Sequence, residues 1–175
     1  EPIKVSILKG GNSRERDISL ISASCVAKAL RDAGMNVSEF DIKIPEIPPE
    51  AKNSDVIFPV LHGGFGEDGT IQKKMEDERL NFIGSGSLSC SMAIDKIKTK
   101  KIMTDNGIPT ADFDVVTNKT SPEQITKIAK RLGFPLVVKA PKEGSTFGVT
   151  IVEKEEDLLQ ALNQTFAFGE TVLIE

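Results

Sequence analysis

Short apolar runs that stop at glycine, alternating with stretches of helical period, constrain this chain most. Residues 3–8, 37–42 and 55–61 read as strands, and the first and third end in glycine-rich loops. Residues 17–33 read as a helix with Ile18, Ile21, Cys25 and Ala29 on one stripe and Val26 and Leu30 beside it. Gly34 follows as a C′ glycine should. A short helix is expected over 70–78, and Phe82-Ile83 reads as the start of another strand. Strand–helix alternation of this kind predicts an α/β fold with an open parallel sheet.

The pattern shifts near 91–95, where a domain boundary is expected. Residues 95–106 read as a helix closed by Gly107, and 113–116 as a strand. Ser121-Pro122-Glu123-Gln124 is a strong helix start, with Ser as N-cap, Pro at the first position and Gln at N3. Ile125, Ile128, Ala129 and Leu132 give its apolar stripe, and Gly133 stops it. Residues 134–138 form a continuous apolar run, and such strands are usually buried on both faces. A glycine-rich loop and a second strand carry the chain to Val152. A last helix starts at Glu155 with Leu158, Leu159 and Leu162 on its buried side, and residues 171–175 read as a strand.

Bulk properties narrow the classes of function. A chain of 175 residues suits one domain or two small ones. A formal net charge of −4 opposes nucleic-acid binding, which needs a basic footprint. No apolar stretch reaches the ~18 residues of a membrane span, and no signal-peptide pattern opens the chain. Cys25 and Cys90 lie in apolar contexts without partner spacing and read as buried thiols of a reducing, cytoplasmic compartment. The single histidine, His62, leaves little scope for a histidine-rich metal site, and no metal ligand is assigned. The chain opens on Glu1 rather than Met, so its start reads as trimmed or partial.

The chemistry concentrates in the loops. Lys139 ends an apolar strand, and Gly144-Ser145-Thr146-Phe147-Gly148 follows closely. Glycines let a backbone approach a ligand, so such a loop can turn N–H groups and hydroxyls onto phosphate oxygens. It is not a Walker loop, because no Gly-Lys-Ser/Thr follows. The plainer reading is a polar hairpin turn with Lys139 reaching water. Loops at 10–16, 61–69 and 84–86 would line one crevice, since ligands of parallel sheets collect at strand carboxyl ends. Gly64-Phe-Gly66-Glu-Asp-Gly69 matches the dinucleotide pattern literally, but outside the first strand–helix unit. Glu15, between Arg14 and Arg16, is either a surface ion-pairing residue or a carboxylate kept for a substrate ammonium. His62 is either a hydrogen-bonded strand-end histidine or a substrate contact. The lysines of 96–101 read mostly as a solvated helix face, with Lys96 pointing at phosphate.

In order and spacing, several motifs resemble the D-alanine–D-alanine ligases. They are Gly10-Gly-Asn-Ser-Arg-Glu-Arg-Asp-Ile-Ser19, Leu61-His-Gly-Gly-Phe-Gly-Glu-Asp-Gly-Thr-Ile-Gln72, Gly84-Ser-Gly86, Asp95-Lys96 and Val138-Lys139 with Glu143-Gly-Ser-Thr-Phe-Gly148. The resemblance runs over essentially the whole chain. It implies a Rossmann-like N-terminal substrate-binding domain over 1–94, then the first α+β lobe of an ATP-grasp fold over 95–175. The second lobe is expected beyond the adenine hinge that Glu175 begins. It also implies ATP-dependent joining of two D-alanines through an acyl phosphate, for peptidoglycan precursors. Glu15 would hold the first D-alanine's ammonium, and His62 would lie near its carboxyl group. Ser145 would link Glu15 to the second substrate site. Lys96, Lys139, Gly144, Ser145 and Thr146 would meet ATP phosphates, and Glu175 the adenine side. Mg²⁺ would be a cofactor with its ligands beyond Glu175, and a homodimer is suggested. The family usually reads Lys-Pro where this chain has Lys139-Ala140-Pro141, and often Ser-Ser where it has Ser145-Thr146. The chain also contains no tyrosine, which the family carries on a mobile loop of the second lobe. Two alternatives are a ligase using D-lactate or D-serine as acceptor, and a non-catalytic nucleotide- or amino-acid-binding module.

Overall fold

β1 (Lys4–Gly10) centres the first sheet because it buries both faces. A computed structural model describes residues 1–144 and 148–175. The chain forms two units, Glu1–Ala93 and Ile94–Glu175. In the first, β1 leads to α1 (Arg16–Asp32), β2 (Asn36–Ile42), β3 (Val56–Pro59), α2 (Thr70–Asp77) and α3 (Ser87–Ala93). The sheet order is β2-β1-β3 with both pairings parallel. Side chains alternate across a strand. Val5 and Ile7 therefore meet Ala23 and Ala27 of α1, while Leu8 packs with Ile57, Ile71 and Met75 on the other face.

The expected apolar stripe of α1 is not its buried one. Ser19, Ala23 and Ala27 face the sheet, while Ile18 and Ile21 are 55% and 63% exposed and Cys25 is exposed too. Cys25 lies two residues from both Ala23 and Ala27, about 200° round the helix from each. Small residues win the sheet-facing side because they let the helix approach β1 closely. Cys90 is only half-buried, so neither cysteine is the fully buried thiol expected, although burial does push the Cys90 thiol's pKa up. Gly34 ends α1 at φ 82° and donates to Arg31 O at 2.9 Å, as its position predicts. Phe82 forms a single parallel bridge with Ile57 instead of opening a strand. Gly84 (φ 119°) turns the chain away, and the unforeseen α3 follows. The Glu76 carboxylate accepts the Ser87 N–H at 2.8 Å and its hydroxyl at 2.6 Å, tying the start of α3 to α2.

The second unit runs α4 (Lys96–Asp105), β4 (Asp114–Thr117), α5 (Pro122–Leu132), β5 (Leu136–Lys139), β6 (Val149–Val152), α6 (Glu155–Thr165) and β7 (Thr171–Ile174). Its sheet is antiparallel throughout, in the order β4-β7-β5-β6. The Ser121–Gln124 capping box forms in both directions. β5 buries Leu136 and Val138 but only half-buries Val137 and Lys139. The expectation of two buried faces fails there because an antiparallel sheet can leave one face uncovered. Leu158 and Leu162 of α6 join the core, whereas Leu159 points outward at 59% exposure. A parallel α/β unit followed by an α+β unit is the fold class that the sequence predicts. Among the described residues, no helix is long and apolar enough to cross a membrane.

Candidate functional site

In the first unit a buried serine stitches two strand ends together. The Ser19 Oγ accepts the Gly10 N–H at 2.8 Å and donates to Val60 O, and the residue is 0% exposed. Gly10 and Gly11 both adopt positive φ, 89° and 83°, which glycine tolerates without strain. Arg16 reaches Asp41 through both guanidinium nitrogens, at 2.9 and 2.5 Å, and donates to Gly11 O at 3.1 Å. The Asp41 carboxyl is held below its usual range by those bonds. Arg16 is thus engaged in shaping the loop rather than reserved for Glu15.

Beyond these glycines the loops after β1 and β3 meet. The Ser13 hydroxyl donates to His62 O at 2.5 Å and accepts the Glu15 N–H at 3.1 Å. A Cβ on Gly63 would sit 2.7 Å from Glu15 Oε2, so the carboxylate lies directly over that glycine. Glu15 and His62 are therefore neighbours, each half-buried. His62 Nδ1 is 3.6 Å from Glu67 Oε1. Its Nε2 is buried with no hydrogen-bond partner among the described residues. An orphaned buried ring nitrogen is an opening for a ligand's polar atom. The turn at 84–86 lies against α2 and α3: a Cβ on Gly86 would sit 2.8 Å from Glu76 Oε1, and Gly86 O accepts the Cys90 N–H at 3.0 Å.

In the second unit the N-terminus of α4 packs on the loop after β5. Asp95 caps the helix, accepting the Ile97 and Lys98 N–H groups at 3.1 and 3.2 Å. The Lys96 N–H reaches Pro141 O at 2.9 Å and its ammonium reaches Glu143 O at 2.7 Å. Burial lowers the Lys96 pKa, and the nearby positive charge of Lys139 lowers it further. The carboxylates of Glu143, Asp95 and Glu175 favour the charged form without outweighing these two effects. Lys139, at the end of β5, forms an ion pair with Glu175. Glu175 also pairs with Lys100 at 2.7 Å. Burial opposes the ionised Glu175, but the bonds from Lys100 and Lys139 outweigh it and hold the carboxyl below its ordinary range. Glu175 therefore directs its carboxylate at two lysines, while its backbone pairs with Val137.

Lys100 is 8% exposed, which corrects the reading of the 96–101 lysines as a solvated face. It lies four residues after Lys96 and hence on the same side of α4. The sequence signal was this i, i+4 spacing. Gly144 is half-buried, and Ser145 and Thr146 lie outside the described residues. Near the same loop a cavity of about 350 Å³ is lined by Asp95, Pro141, Lys142, Glu143 and Phe168, among others. Among the described residues no cluster of three carboxylate, histidine or cysteine side chains could hold a metal ion.

Known proteins share both the sequence and the fold. The family model described as the D-ala D-ala ligase N-terminus matches residues 40–85, and that of the D-ala D-ala ligase C-terminus matches residues 102–175. A D-alanine–D-alanine ligase from Bordetella avium is 40% identical over 98% of this chain and 54% of its own length. The crystal structure of the corresponding ligase from Bacillus anthracis superposes with a TM-score of 0.88 at 31% identity, covering 99% of this chain and 57% of that one. The same ligase complexed with ATP gives 0.84 at 30% identity, covering 99% and 58%. The chain spans about half the length of the curated relatives it matches. With both of the ligase family's models matched in order and the fold shared along nearly its whole length, the chain belongs to the D-alanine–D-alanine ligase family.

Proposed function

We propose that this chain supplies the amino-acid-binding domain and the first nucleotide-binding lobe of an enzyme that joins two D-alanines at the expense of ATP, for peptidoglycan precursors. The observation that carries it is geometric: Lys96, whose ammonium reaches Glu143 O at 2.7 Å, and Lys139, at the end of β5, both stand at the loop that leads into Gly144. That charge pattern suits a polyanion, and a solved relative of the same fold is complexed with ATP.

A carboxylate is a poor electrophile. In the proposed reaction the first D-alanine's carboxylate oxygen attacks the γ-phosphorus of ATP, and ADP leaves. The second D-alanine's amine then attacks the acyl carbon, loses a proton, and inorganic phosphate leaves. Glu15 accepts the ammonium of the first D-alanine, and His62 Nε2 faces its carboxyl group. Lys96 and Lys139 take phosphate oxygens, and the backbone at Gly144, with Ser145 and Thr146, continues that cradle. Glu175 acts on the adenine side through its backbone and on Lys139 through its carboxylate. Positioning and charge neutralisation supply most of the acceleration in such transfers. Mg²⁺ is proposed to accompany ATP, with its protein ligands outside these residues. The resemblance also supports a cytoplasmic homodimer, which light scattering on the whole protein would check.

The test uses the full coding sequence that contains these residues. ATP-dependent phosphate release should require D-alanine, and mass spectrometry with D-lactate and D-serine as competing acceptors should find the D-alanyl dipeptide. Phosphate release indifferent to D-alanine would overturn the activity, and a depsipeptide or mixed dipeptide would overturn only the acceptor.

A further inference from the structure

Lys100 is a lysine with no capacity left for a ligand. Its ammonium sits 2.7 Å from Glu175 Oε2, donates to Thr110 Oγ1 at 2.8 Å and to Ala111 O at 2.9 Å. An ammonium has three protons, so these partners saturate it. Phe113 covers it, with the ring centroid 5.2 Å away. Glu175 gives its other oxygen to Lys139, which is the more exposed of the two lysines, 24% against 10% for the side chains. The two ammonium groups and one carboxylate leave one surplus positive charge. With Lys100 neutral, Glu175 would cancel Lys139, and an arriving anion would meet a neutral pair. A carboxylate with one oxygen unclaimed would also be free to fold more closely around Lys139.

We propose that Lys100 is a positioning residue for Lys139: by claiming half of Glu175 it fixes that carboxylate and keeps a net positive charge at the end of β5 for a phosphate group. The inference rests on the reading of Lys139 as a phosphate ligand. Lys100 itself never touches the nucleotide. Two of the four lysines of α4 then have different tasks, Lys96 reaching the loop after β5 and Lys100 pairing with Glu175. Charge, rather than bulk, is what Lys100 contributes, so its loss should be reversed by removing the charge it balances.

Calorimetric titration of the full-length protein with ATP and with adenosine separates these roles. In Lys100→Met the dissociation constant for ATP should rise about tenfold, roughly 1.4 kcal/mol, while that for adenosine moves less than about twofold. Lys139→Met should lose the preference for ATP over adenosine outright. In Lys100→Met/Glu175→Gln that preference should recover by at least half, because the surplus charge returns to Lys139. A purely structural Lys100 would weaken both ligands alike, and the second substitution would deepen the loss; either result overturns the inference. If Lys139→Met loses the preference and Lys100→Met keeps it, the phosphate reading stands and Lys100 has no part in it. If Lys139→Met keeps the preference, the phosphate reading falls and this inference with it. Lys100→Gln, which retains hydrogen bonding to Thr110 and Ala111, carries the same expectation should Lys100→Met fail to fold.

Discussion

Single side chains here do more than their residue types announce. Ser19 is the clearest case: fully buried, its one hydroxyl serves the end of β1 and the chain just after β3. Ser19→Ala strands a buried N–H and a buried C=O, a cost of about 1–3 kcal/mol each. Urea unfolding should therefore show a loss of at least ~1 kcal/mol, and an unchanged midpoint would mean that the stitch is not needed. Glu15 belongs to the proposed chemistry. On the proposed function, Glu15→Gln in the full-length protein should raise KM for the first D-alanine on the order of tenfold or more, as for a lost ion pair of ~1.4 kcal/mol or more. Unchanged KM and kcat would remove Glu15 from its role. Glu175 gives a pH signature. Its folded pKa is depressed by Lys100 and Lys139, so its stabilising contribution is present above the unfolded carboxylate pKa. The contribution is lost as pH falls through the lower folded value. Glu175→Gln should narrow the stability gap between pH 7 and the acid side of that range, and parallel curves for both proteins would contradict it. Glu15, His62 and Lys139 were legible as candidates, because ionisable groups in glycine-rich loops at strand ends have few structural uses; Lys96 was legible from its place in the first turn of its helix, and Glu175 only through the family resemblance. Asp41, Ser19 and Lys100 were not, because their partners lie 25, 41 and 75 residues away.

Elements follow local rules until a neighbour overrides them. The start of α5 was written wholly in sequence, since the capping box needs only residues three apart. Ser121→Ala should cost ~1 kcal/mol. α1 shows the opposite. Its larger apolar side chains, Ile18 and Ile21, face outward, and the small residues Ala23 and Ala27 face β1. Periodicity locates a helix but does not say which side a sheet will press on, because close approach can favour small residues over apolar area. Ile21→Gln should change stability by less than ~0.5 kcal/mol, whereas Ala27→Leu should overpack the interface and cost about 1–3 kcal/mol. Equal effects in thermal denaturation would restore the stripe expected from sequence. α3 escaped notice because it is short and its start is held by Glu76, eleven residues earlier.

At the scale of the whole molecule, each of the two units has its own core and its own half of the proposed task. The first holds the neighbours Glu15 and His62, and the second holds Lys96, Lys139 and Glu175. Because the chain spans about half the length of its relatives, these 175 residues alone are expected to show no turnover. D-alanine-dependent phosphate release from them would contradict that. The sequence by itself determined the order of strands and helices apart from α3 and the strand expected at Phe82, the change of pattern near 91–95 and the family, and it named most of the candidate residues. Those are written in local periodicity, in glycines that interrupt it, and in motifs of a few adjacent residues. Only the tertiary structure decided which face of α1 is buried, that β5 is covered on one side, and that Glu175 stands between two lysines. Each of those outcomes depends on which distant segment arrives alongside, and a burial or charge balance set by a distant partner leaves no periodic trace in the chain that receives it.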